Sequence, residues 1–313
     1  MIQATTMLYL YVETPLHAGT GTGLSSIDLP VQRERTTQYP LVQGSGIKGK
    51  LRAAAYQDWG KNEINIVFGP DEQSTEHAGA LIAGDARLLL FPVRSLCGVF
   101  AFTTSCDILS RFLRDQARSR AQSDWSLEDL GPIPAHTALV TKKANTVALD
   151  DALVLEEWSF GVTRHAGVDT IAGWLAAHAL PQTPEYAYWR EKLKSSLIIL
   201  PENDFRDFVV HATEVITRVR INRDSKTVDN GALWTEEHLP SDTLLYVPIY
   251  ATNARKMKQD SNGKNRAEMS ASAILEKARS LEASQHGYLQ LGGDETVGRG
   301  MVRMHWSDLQ EEH

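Results

Sequence analysis

Three glycine-rich segments carry residue types that could bind a phosphate group. The first, residues 19–23, reads GTGTG, but a dinucleotide-binding fingerprint needs its third glycine where Leu24 stands. The second, residues 44–50, reads GSGIKGK, but Leu51 stands where a nucleotide-hydrolysing loop needs Ser or Thr to hold magnesium. The sequence therefore argues against dinucleotide binding and against nucleotide hydrolysis.

The second segment still predicts an anion site at the start of a helix. Ser45 is the predicted N-cap, and the amides of Gly44, Ser45 and Gly46 would be open where the helix dipole favours negative charge. Lys48 and Arg52 are four residues apart, so they would flank a bound phosphate from one helix face. The alternative is an ordinary glycine-led cap with solvated cations. We favour phosphate binding because the segment lies within a basic cluster.

The third segment, residues 292–300, reads GGDETVGRG and carries four glycines in nine positions. This density permits positive φ angles and close approach of the backbone to a ligand. It is equally compatible with a strand-to-strand turn that only needs flexibility. Chemistry alone does not separate these two interpretations.

Basic residues are clustered although the net charge is −7. Residues 33–52 carry five positive charges against one negative, residues 218–226 carry four against one, and residues 253–266 carry five against one. Because binding depends on the local field, this distribution favours one nucleic-acid face and other faces for protein partners. The alternative is that each run is simply a solvated face.

Composition restricts the class of protein. With 313 residues, 42% hydrophobic and 23% charged, the chain predicts one large or two small globular domains. No apolar run approaches the roughly 20 residues of a membrane span, and the N-terminal residues do not resemble a signal peptide. Cys97 and Cys106 are too few for a disulfide framework. We therefore expect reduced thiols, a cytoplasmic location and no membrane partner.

Hydrophobic patterning predicts strands interleaved with few helices, which is typical of an α+β protein with a sheet covered by helices. The predicted strands are residues 7–13, 79–93, 97–104 and 244–250, with a final strand, glycine turn and strand over 288–306. The predicted helices are residues 44–58, 107–121 and 270–283. Residues 123–150, 180–188 and 253–267 are predicted to be loops.

The segment 213–238 predicts a two-stranded hairpin. Val219 lies between Arg218 and Arg220, and this alternation continues along the strand, giving one apolar and one basic face. The Asp-Asn-Gly sequence at 229–231 predicts the turn.

Seven segments together resemble a known family. They are HAGTGTG, SIDLPVQRE, YPLVQGSGIKGKLR, GDARLLLFPVRSL, RINRDSKTV, GALWTEEHLP and LQLGGDETVGRG. In this order they resemble the backbone subunit of the type III-B CRISPR Cmr complex, a branch of the RNA-binding RAMP superfamily. GSGIKG and the C-terminal glycine loop resemble RAMP proteins in general, whereas IDLPVQRE and GALWTEEHLP resemble this branch in particular.

The resemblance implies a fold and a set of partners. The expected fold is an RRM-like, ferredoxin-type palm with a protruding β-hairpin thumb at about residues 215–240, within a single domain over 1–313. Several copies would stack head to tail on one CRISPR guide RNA. Target RNA and other Cmr complex subunits would be the further partners.

The resemblance also implies an endoribonuclease site. Asp28 would cut target RNA and would ligate a divalent metal, Mg²⁺ or Mn²⁺, which shields charge and lowers the pKa of bound water. Weaker catalytic candidates are His17, Glu236, Glu237 and His238; a histidine could exchange protons near neutral pH. The predicted RNA-binding residues are Gly44, Ser45, Gly46, Lys48, Lys50, Arg52, Arg33, Arg218, Arg220, Gly292, Gly293, Thr296, Gly298 and Arg299.

Two alternatives remain open from the sequence. The chain could be a non-catalytic RNA-binding scaffold, for which Asp28 would be dispensable. It could also be a RAMP ribonuclease that processes precursor guide RNA as a monomer.

Overall fold

The computed structural model describes residues 2–23, 26–70, 78–119, 123–143, 145–255, 257–259 and 265–307. The strands are β1 Ala4–Val12, β2 Leu41–Val42, β3 Leu81–Ala83, β4 Ala86–Arg94, β5 Phe100–Ser105, β6 Thr137–Thr141, β7 Ala152–Leu155, β8 Trp158–His165, β9 Leu197–Leu200, β10 Glu214–Ile221, β11 Val228–His238, β12 Leu244–Ala251, β13 Met257–Gln259, β14 Asn265–Ala267, β15 Tyr288–Gln290 and β16 Met301–Trp306. The α-helices are α1 Gly44–Ala55, α2 Lys61–Phe68, α3 Cys106–Arg118, α4 Ala166–His178, α5 Ala187–Ser196, α6 Glu202–His211 and α7 Ala271–Ser284.

Twelve strands of the described chain form one mixed sheet, in the order β15-β16-β1-β12-β4-β5-β9-β6-β8-β7, with β2 beside β4 and β3 beside β12. β1 lies between β12 and β16 and is antiparallel to both. The pairs β5–β9 and β6–β8 are parallel. The predicted α+β class is therefore confirmed.

The core follows from the predicted apolar strands. β1 is buried at seven consecutive positions, which requires cover on both faces of the sheet. α7 packs against β1, β12 and β16, and its buried positions recur at helical spacing. The strands predicted over 7–13 and 244–250 and the helix predicted over 270–283 are thus confirmed.

The predicted hairpin is also present, as a separate two-stranded sheet of β10 and β11. Its turn is not where we expected it. The chain reverses over residues 222–227, where the Asn222 amide donates to the Thr227 carbonyl at 2.8 Å and Lys226 takes a positive φ of 57°. Residues 229–231 lie inside β11, because Asn222 caps the tip with its side-chain oxygen and so ends β10 first.

The start of α1 also differs from the prediction. Gln43, not Ser45, is the N-cap, and the helix begins at Gly44. The Gly44 amide donates to the Asp85 carboxylate at 2.8 Å, so this amide is not open to an external anion. Gly44 is required there because a β-carbon would lie 2.5 Å from the Ala83 carbonyl oxygen.

All three predicted loops contain regular structure, and in residues 253–267 it is the antiparallel pair of short strands β13 and β14. Residues 123–150 include β6, and residues 180–188 include a 3₁₀ turn and the first residues of α5. β6 escaped prediction because its apolar run is short and proline-flanked, and it becomes a strand by pairing with β8 and β9. Part of the predicted 253–267 loop lies outside the described residues. Cys97 and Cys106 are free and partly buried, and none of the described helices has the length and apolarity to cross a membrane.

A buried carboxylate joins α3 to the sheet. Asp115 on α3 accepts from Arg87 of β4 at 2.7 Å and from the Tyr246 hydroxyl of β12 at 3.1 Å. Arg118 contributes a further ion pair at 3.6 Å. Because Asp115 is almost fully buried, its charge is stabilised by these partners rather than by water.

We predict that Asp115→Ala lowers the free energy of unfolding by about 3 kcal/mol, because Arg87 and Tyr246 lose a buried partner. Urea unfolding monitored by circular dichroism measures this change. The matched control is Glu191→Ala, which removes an exposed pair with Lys194 and should cost less than about 1 kcal/mol. Equal effects of the two variants would show that the buried network does not stabilise the fold.

Candidate functional site

The loop that carries Asp28 is attached to β11 like an additional strand. The Leu29 amide donates to the Thr235 carbonyl at 3.0 Å, and the Glu237 amide donates to the Leu29 carbonyl at 3.0 Å. Leu29 and Glu236 form a parallel bridge. Asp28 therefore lies at a fixed position beside the base of the β10–β11 hairpin.

Thr235 orients the Asp28 carboxylate with both of its donors. Oδ2 of Asp28 accepts from the Thr235 amide at 2.8 Å and from its hydroxyl at 3.0 Å. The Asp28 amide is also 3.0 Å from the Thr235 hydroxyl oxygen. The Thr235 amide, followed by its hydroxyl, holds the pKa of Asp28 below its ordinary value of 3.8. The result is an exposed, ionised and oriented carboxylate.

A second group of acids lies beside it and holds an arginine. Nε of Arg218 is 2.8 Å from Glu236 Oε2, and its Nη2 is 3.0 Å from Asp294 Oδ2. The Trp234 indole donates to the other Glu236 oxygen at 2.7 Å. These contacts tie both strands of the hairpin to the C-terminal glycine loop.

His238 completes this second group. Its Nε2 is 3.4 Å from Asp294 Oδ2 and 4.0 Å from Glu236 Oε2. Burial holds the pKa of His238 below its ordinary value of 6.5, so the ring is neutral at pH 7. A neutral ring can donate to Asp294 only through a proton on Nε2.

The same group must be tested as a metal centre. Within the described part of the chain, Glu236, His238 and Asp294 are the only three potential ligands whose atoms all lie within 4.8 Å of one another. The Arg218 guanidinium already contacts both carboxylates, so a divalent cation would compete with it. The arrangement therefore fits an internal ion pair better than a metal site.

His17 lies between the first glycine-rich segment, residues 19–23, and the third, residues 292–300. Its Nδ1 is 2.7 Å from the Glu237 carbonyl oxygen, which can only accept, so Nδ1 carries the proton and Nε2 is the acceptor. Its ring centroid is 5.4 Å from that of His238. A β-carbon at Gly292 would lie 2.1 Å from the His17 carbonyl oxygen. Close approach to the chain's own backbone thus accounts for this glycine.

The structure corrects two predicted roles. Glu237 is buried and accepts from Arg33 at 2.5 Å, from the Val31 amide at 2.9 Å and from the Thr213 hydroxyl at 2.8 Å. Arg33 also donates to the Val209 carbonyl at 2.8 Å. Glu237 is thus a structural brace rather than a catalytic group, and Arg33 is directed inward rather than toward RNA.

The predicted RNA-binding residues on α1 separate onto two faces. Lys48 is half-buried, and burial, followed by the charges of Arg52 and Arg255, lowers its pKa, so these three cations lie together. Lys50 points to the C-terminal loop, where it donates to Gln290 at 2.6 Å and pairs with Glu295 at 3.6 Å.

The remaining predicted residues are distributed along two exposed surfaces. Ser45 and Gly46 are exposed on the first turn of α1. Gly293, Thr296 and Gly298 are exposed on the C-terminal loop, together with half-buried Arg299. On the hairpin, Arg218 is held by two carboxylates, whereas Arg220 is largely exposed and pairs with Asp229 at 3.0 Å.

Sequence reasoning missed Thr235, Trp234 and Asp294. Asp294 had a detectable signal, because it is one of two acids in a glycine-dense loop. Thr235 lies in the segment GALWTEEHLP, but local spacing could not pair it with Asp28, because the two are 207 positions apart in the chain.

Comparisons with known proteins agree with this architecture. The sequence model of the RAMP superfamily matches residues 9–303. The chain is 35% identical over 302 residues to the CRISPR system Cmr endoribonuclease Cmr4 of Pyrococcus furiosus, covering 94% of this chain and 93% of that protein. It is 26% identical to the CRISPR system CMR subunit Cmr4 of Saccharolobus solfataricus, covering 95% of each.

Solved structures of similar proteins have the same fold. The crystal structure of oligomeric Cmr4 from Pyrococcus furiosus matches with a TM-score of 0.71 and 28% identity, over 99% of this chain and 100% of that one. A chain of the type III-B Cmr-beta complex bound to cognate target RNA matches with a TM-score of 0.69 and 20% identity, over 97% of this chain and 98% of that one.

We predict that Thr235→Val raises the pKa of Asp28 toward 3.8, because the hydroxyl bond is removed while the amide bond remains. Thr235→Ser retains the hydroxyl and should leave this pKa unchanged. NMR titration of the Asp28 carboxyl carbon measures both. If Val and Ser gave the same pKa, the hydroxyl would have no effect on Asp28.

The sign of the linked stability change follows from the lowered pKa. Ionised Asp28 favours the folded state above the unfolded pKa, and this contribution is lost as the pH falls through the folded pKa. The wild type should therefore lose more stability than Thr235→Val as the pH falls below about 4.

Proposed function

The chain belongs to the RAMP superfamily, and on that premise we propose that it is a backbone subunit of a type III-B CRISPR Cmr complex that binds guide RNA and cuts target RNA. The 35% identity to a Cmr endoribonuclease over nearly the whole chain supports this. Likeness to an oligomeric relative supports head-to-tail stacking of several copies, with other Cmr subunits as partners. Free Cys97 and Cys106 support a cytoplasmic location.

We infer that the chain is one domain with an RRM-like palm and a thumb. The order β16-β1-β12-β4, with α1 after β1 and α7 after β12, supports a ferredoxin-type palm. The β10–β11 hairpin, paired only with itself among the described strands, is the proposed thumb.

One observation carries the cleavage part of the proposal: an exposed, ionised Asp28 carboxylate is held at the base of the thumb by Thr235. RNA can be cut by its own 2′-hydroxyl when that oxygen is aligned with the phosphate and the developing charge is stabilised. With its pKa lowered, Asp28 is a weak base at neutral pH and is better suited to holding a cation. His17 offers Nε2 as the proton acceptor.

Asp28 also fits a divalent metal. A carboxylate has about four lone-pair sites, of which Thr235 uses two, and Mg²⁺ is often held by one carboxylate together with substrate phosphates. Bound Mg²⁺ or Mn²⁺ would supply shielding of the phosphate charge. Asp28 would hold and orient the cation, while the contacts of Glu237 with Val31 and Arg33 keep the loop in place.

The guide RNA would contact the basic surface of α1. Lys48, Arg52 and Arg255 form a positive patch that an RNA backbone can neutralise. Ser45 and Gly46 are exposed on the first turn of the same helix, where its dipole adds to the attraction.

We predict that Asp28→Asn in an assembled complex slows target-RNA cutting by about 100-fold or more and leaves target binding unchanged. The substitution keeps the size of the side chain and removes its charge. Single-turnover cleavage and filter binding measure the two properties. Asp58→Asn, on an exposed carboxylate after α1, is the control and should cut normally.

Two outcomes would contradict this. Wild-type cutting by Asp28→Asn would favour the scaffold alternative, in which Asp28 is dispensable. Undiminished cutting in the presence of a chelator would exclude the proposed metal.

We predict that Lys48→Glu with Arg52→Glu weakens RNA binding by the same factor for all sequences, because phosphate contacts carry no base information. The slope of log affinity against log salt should become shallower by about one for each phosphate that is no longer neutralised. Titrations of two unrelated RNAs at several salt concentrations measure this. Lys142→Glu with Lys143→Glu, two exposed cations near β6, is the control; a loss of affinity that differed between the RNAs would refute the assignment.

A further inference from the structure

The base of the β10–β11 hairpin is held at two points along its length. At the inner point the buried Glu237 accepts from the loop that carries Asp28. At the outer point Arg218 of β10 donates to Asp294 of the C-terminal loop at 3.0 Å. The strand register places Thr235, which orients Asp28, between these two points. The points are about 10 Å apart along the strand, so together they prevent a tilt that either one alone would permit.

Asp294 is the partner of Arg218 that lies outside the hairpin. Nε of Arg218 donates to Glu236 of β11 at 2.8 Å, and this bond joins the two strands of the hairpin to each other. The bond from Nη2 to Asp294 instead joins the hairpin to a distant part of the chain. The side chains of Arg218 and Asp294 are only 25% and 24% exposed, so their ion pair is less screened than a pair on the surface.

The loop that carries Asp294 is attached to the segment that carries His17. The Gly293 amide donates to the His17 carbonyl at 3.0 Å, and the Gly300 amide donates to the Pro15 carbonyl at 3.0 Å. These bonds fix both ends of the loop to the backbone around His17. The outer support of the hairpin is therefore itself anchored beside a candidate proton acceptor.

The outer support consequently affects how Asp28 is placed relative to His17. Asp28 follows the hairpin, because Thr235 and the backbone pairing of Leu29 attach it to β11. His17 follows the C-terminal loop and the inner end of the hairpin. A misplacement of about 1 Å can slow a reaction by about 100-fold, because the reacting atoms must be aligned.

We propose that Asp294 is a positioning residue for RNA cutting: by holding Arg218, it fixes the tilt of the hairpin and so places Asp28 relative to His17. In this role it acts through Arg218 and not on the RNA. Replacement of Asp294 should therefore slow cutting and leave the affinity for target RNA unchanged.

This inference rests on the proposed function, because it assigns a role within the proposed cutting site, but the two can fail separately. If Asp28→Asn slows cutting and Asp294→Ala does not, the proposed function stands and this inference is wrong. If Asp28→Asn cuts normally, the proposed cutting site is wrong and this inference falls with it.

The first experiment compares two neighbouring acids in the assembled complex. Asp294→Ala should lower the single-turnover rate constant for cutting by about tenfold or more and leave the Kd for target RNA unchanged. The matched control is Glu295→Ala, which removes a 68% exposed acid of the same loop, 3.6 Å from Lys50, and should cut normally. Asp294→Asn keeps an oxygen that can accept from Arg218, so it should cut at an intermediate rate.

The second experiment tests whether Asp294 acts through Arg218. Arg218→Gln removes the charge that Asp294 holds, and it should slow cutting by a similar factor. Adding Asp294→Ala to Arg218→Gln should then cause little further loss, because the two residues form one contact. Losses that multiply would overturn the proposal, since Asp294 would then act by a separate route.

Two readouts separate positioning from other effects. Partial unfolding would lower the amount of target RNA that is cut and leave the rate constant unchanged, so the rate constant is the diagnostic quantity. The dependence of the rate on pH should keep its shape from about pH 7 to 9, because His238 is already neutral there and Asp294 has no role in proton transfer.

The proposal is overturned if Asp294→Ala cuts at the wild-type rate, if its Kd for target RNA rises in step with the loss of rate, or if Glu295→Ala is equally slow. A changed shape of the pH dependence would also overturn it, because Asp294 would then influence proton transfer. Circular dichroism checks that all variants are folded.

Discussion

The backbone pairing between the Asp28 loop and β11 is the constraint on which the candidate site depends. A slip of one residue would turn Thr235 away from Asp28, because neighbouring side chains on a strand point to opposite faces. The buried Glu237 prevents this slip, since it accepts from the Val31 amide and from Arg33 beneath the loop. The exposed Asp28 is thus oriented by Thr235, in a register that the buried Glu237 holds, although both acids were predicted to be catalytic.

The neighbouring cluster of Arg218, Glu236 and Asp294 follows the same electrostatic rule. Charges withdrawn from water must be paired, and here one guanidinium neutralises two carboxylates from different parts of the chain. Because the cluster is internally satisfied, it joins the hairpin to the C-terminal loop. Burial, acting against the charge of Asp294, holds the pKa of His238 below its ordinary value and keeps the ring neutral. Asp28, with one side chain as its partner and the other side open to solvent, is the acid better suited to meet a substrate.

The distribution of charge explains how an acidic chain can bind RNA. Lys48, Arg52 and Arg255 gather at one surface, so their local field attracts a phosphate backbone despite the net charge of −7. An acidic groove lies at the far end of the sheet, near β8 and α6, and is lined by Glu156, Glu157, Asp204 and Asp207. The basic patch and the acidic groove are therefore separate surfaces of opposite sign.

Periodicity between near neighbours was enough to predict the α+β class, the central strands β1 and β12, the helix α7 and the existence of the hairpin. The resemblance of seven sequence segments to a known family added the prediction of the family and of Asp28 as the residue that cuts RNA. Three features emerged only once the chain was folded: Arg33 and Glu237 form a brace, Asp294 holds Arg218, and Thr235 orients Asp28. Asp28 and Thr235 are 207 positions apart, and local patterns carry no information about which distant side chains a sheet register brings together.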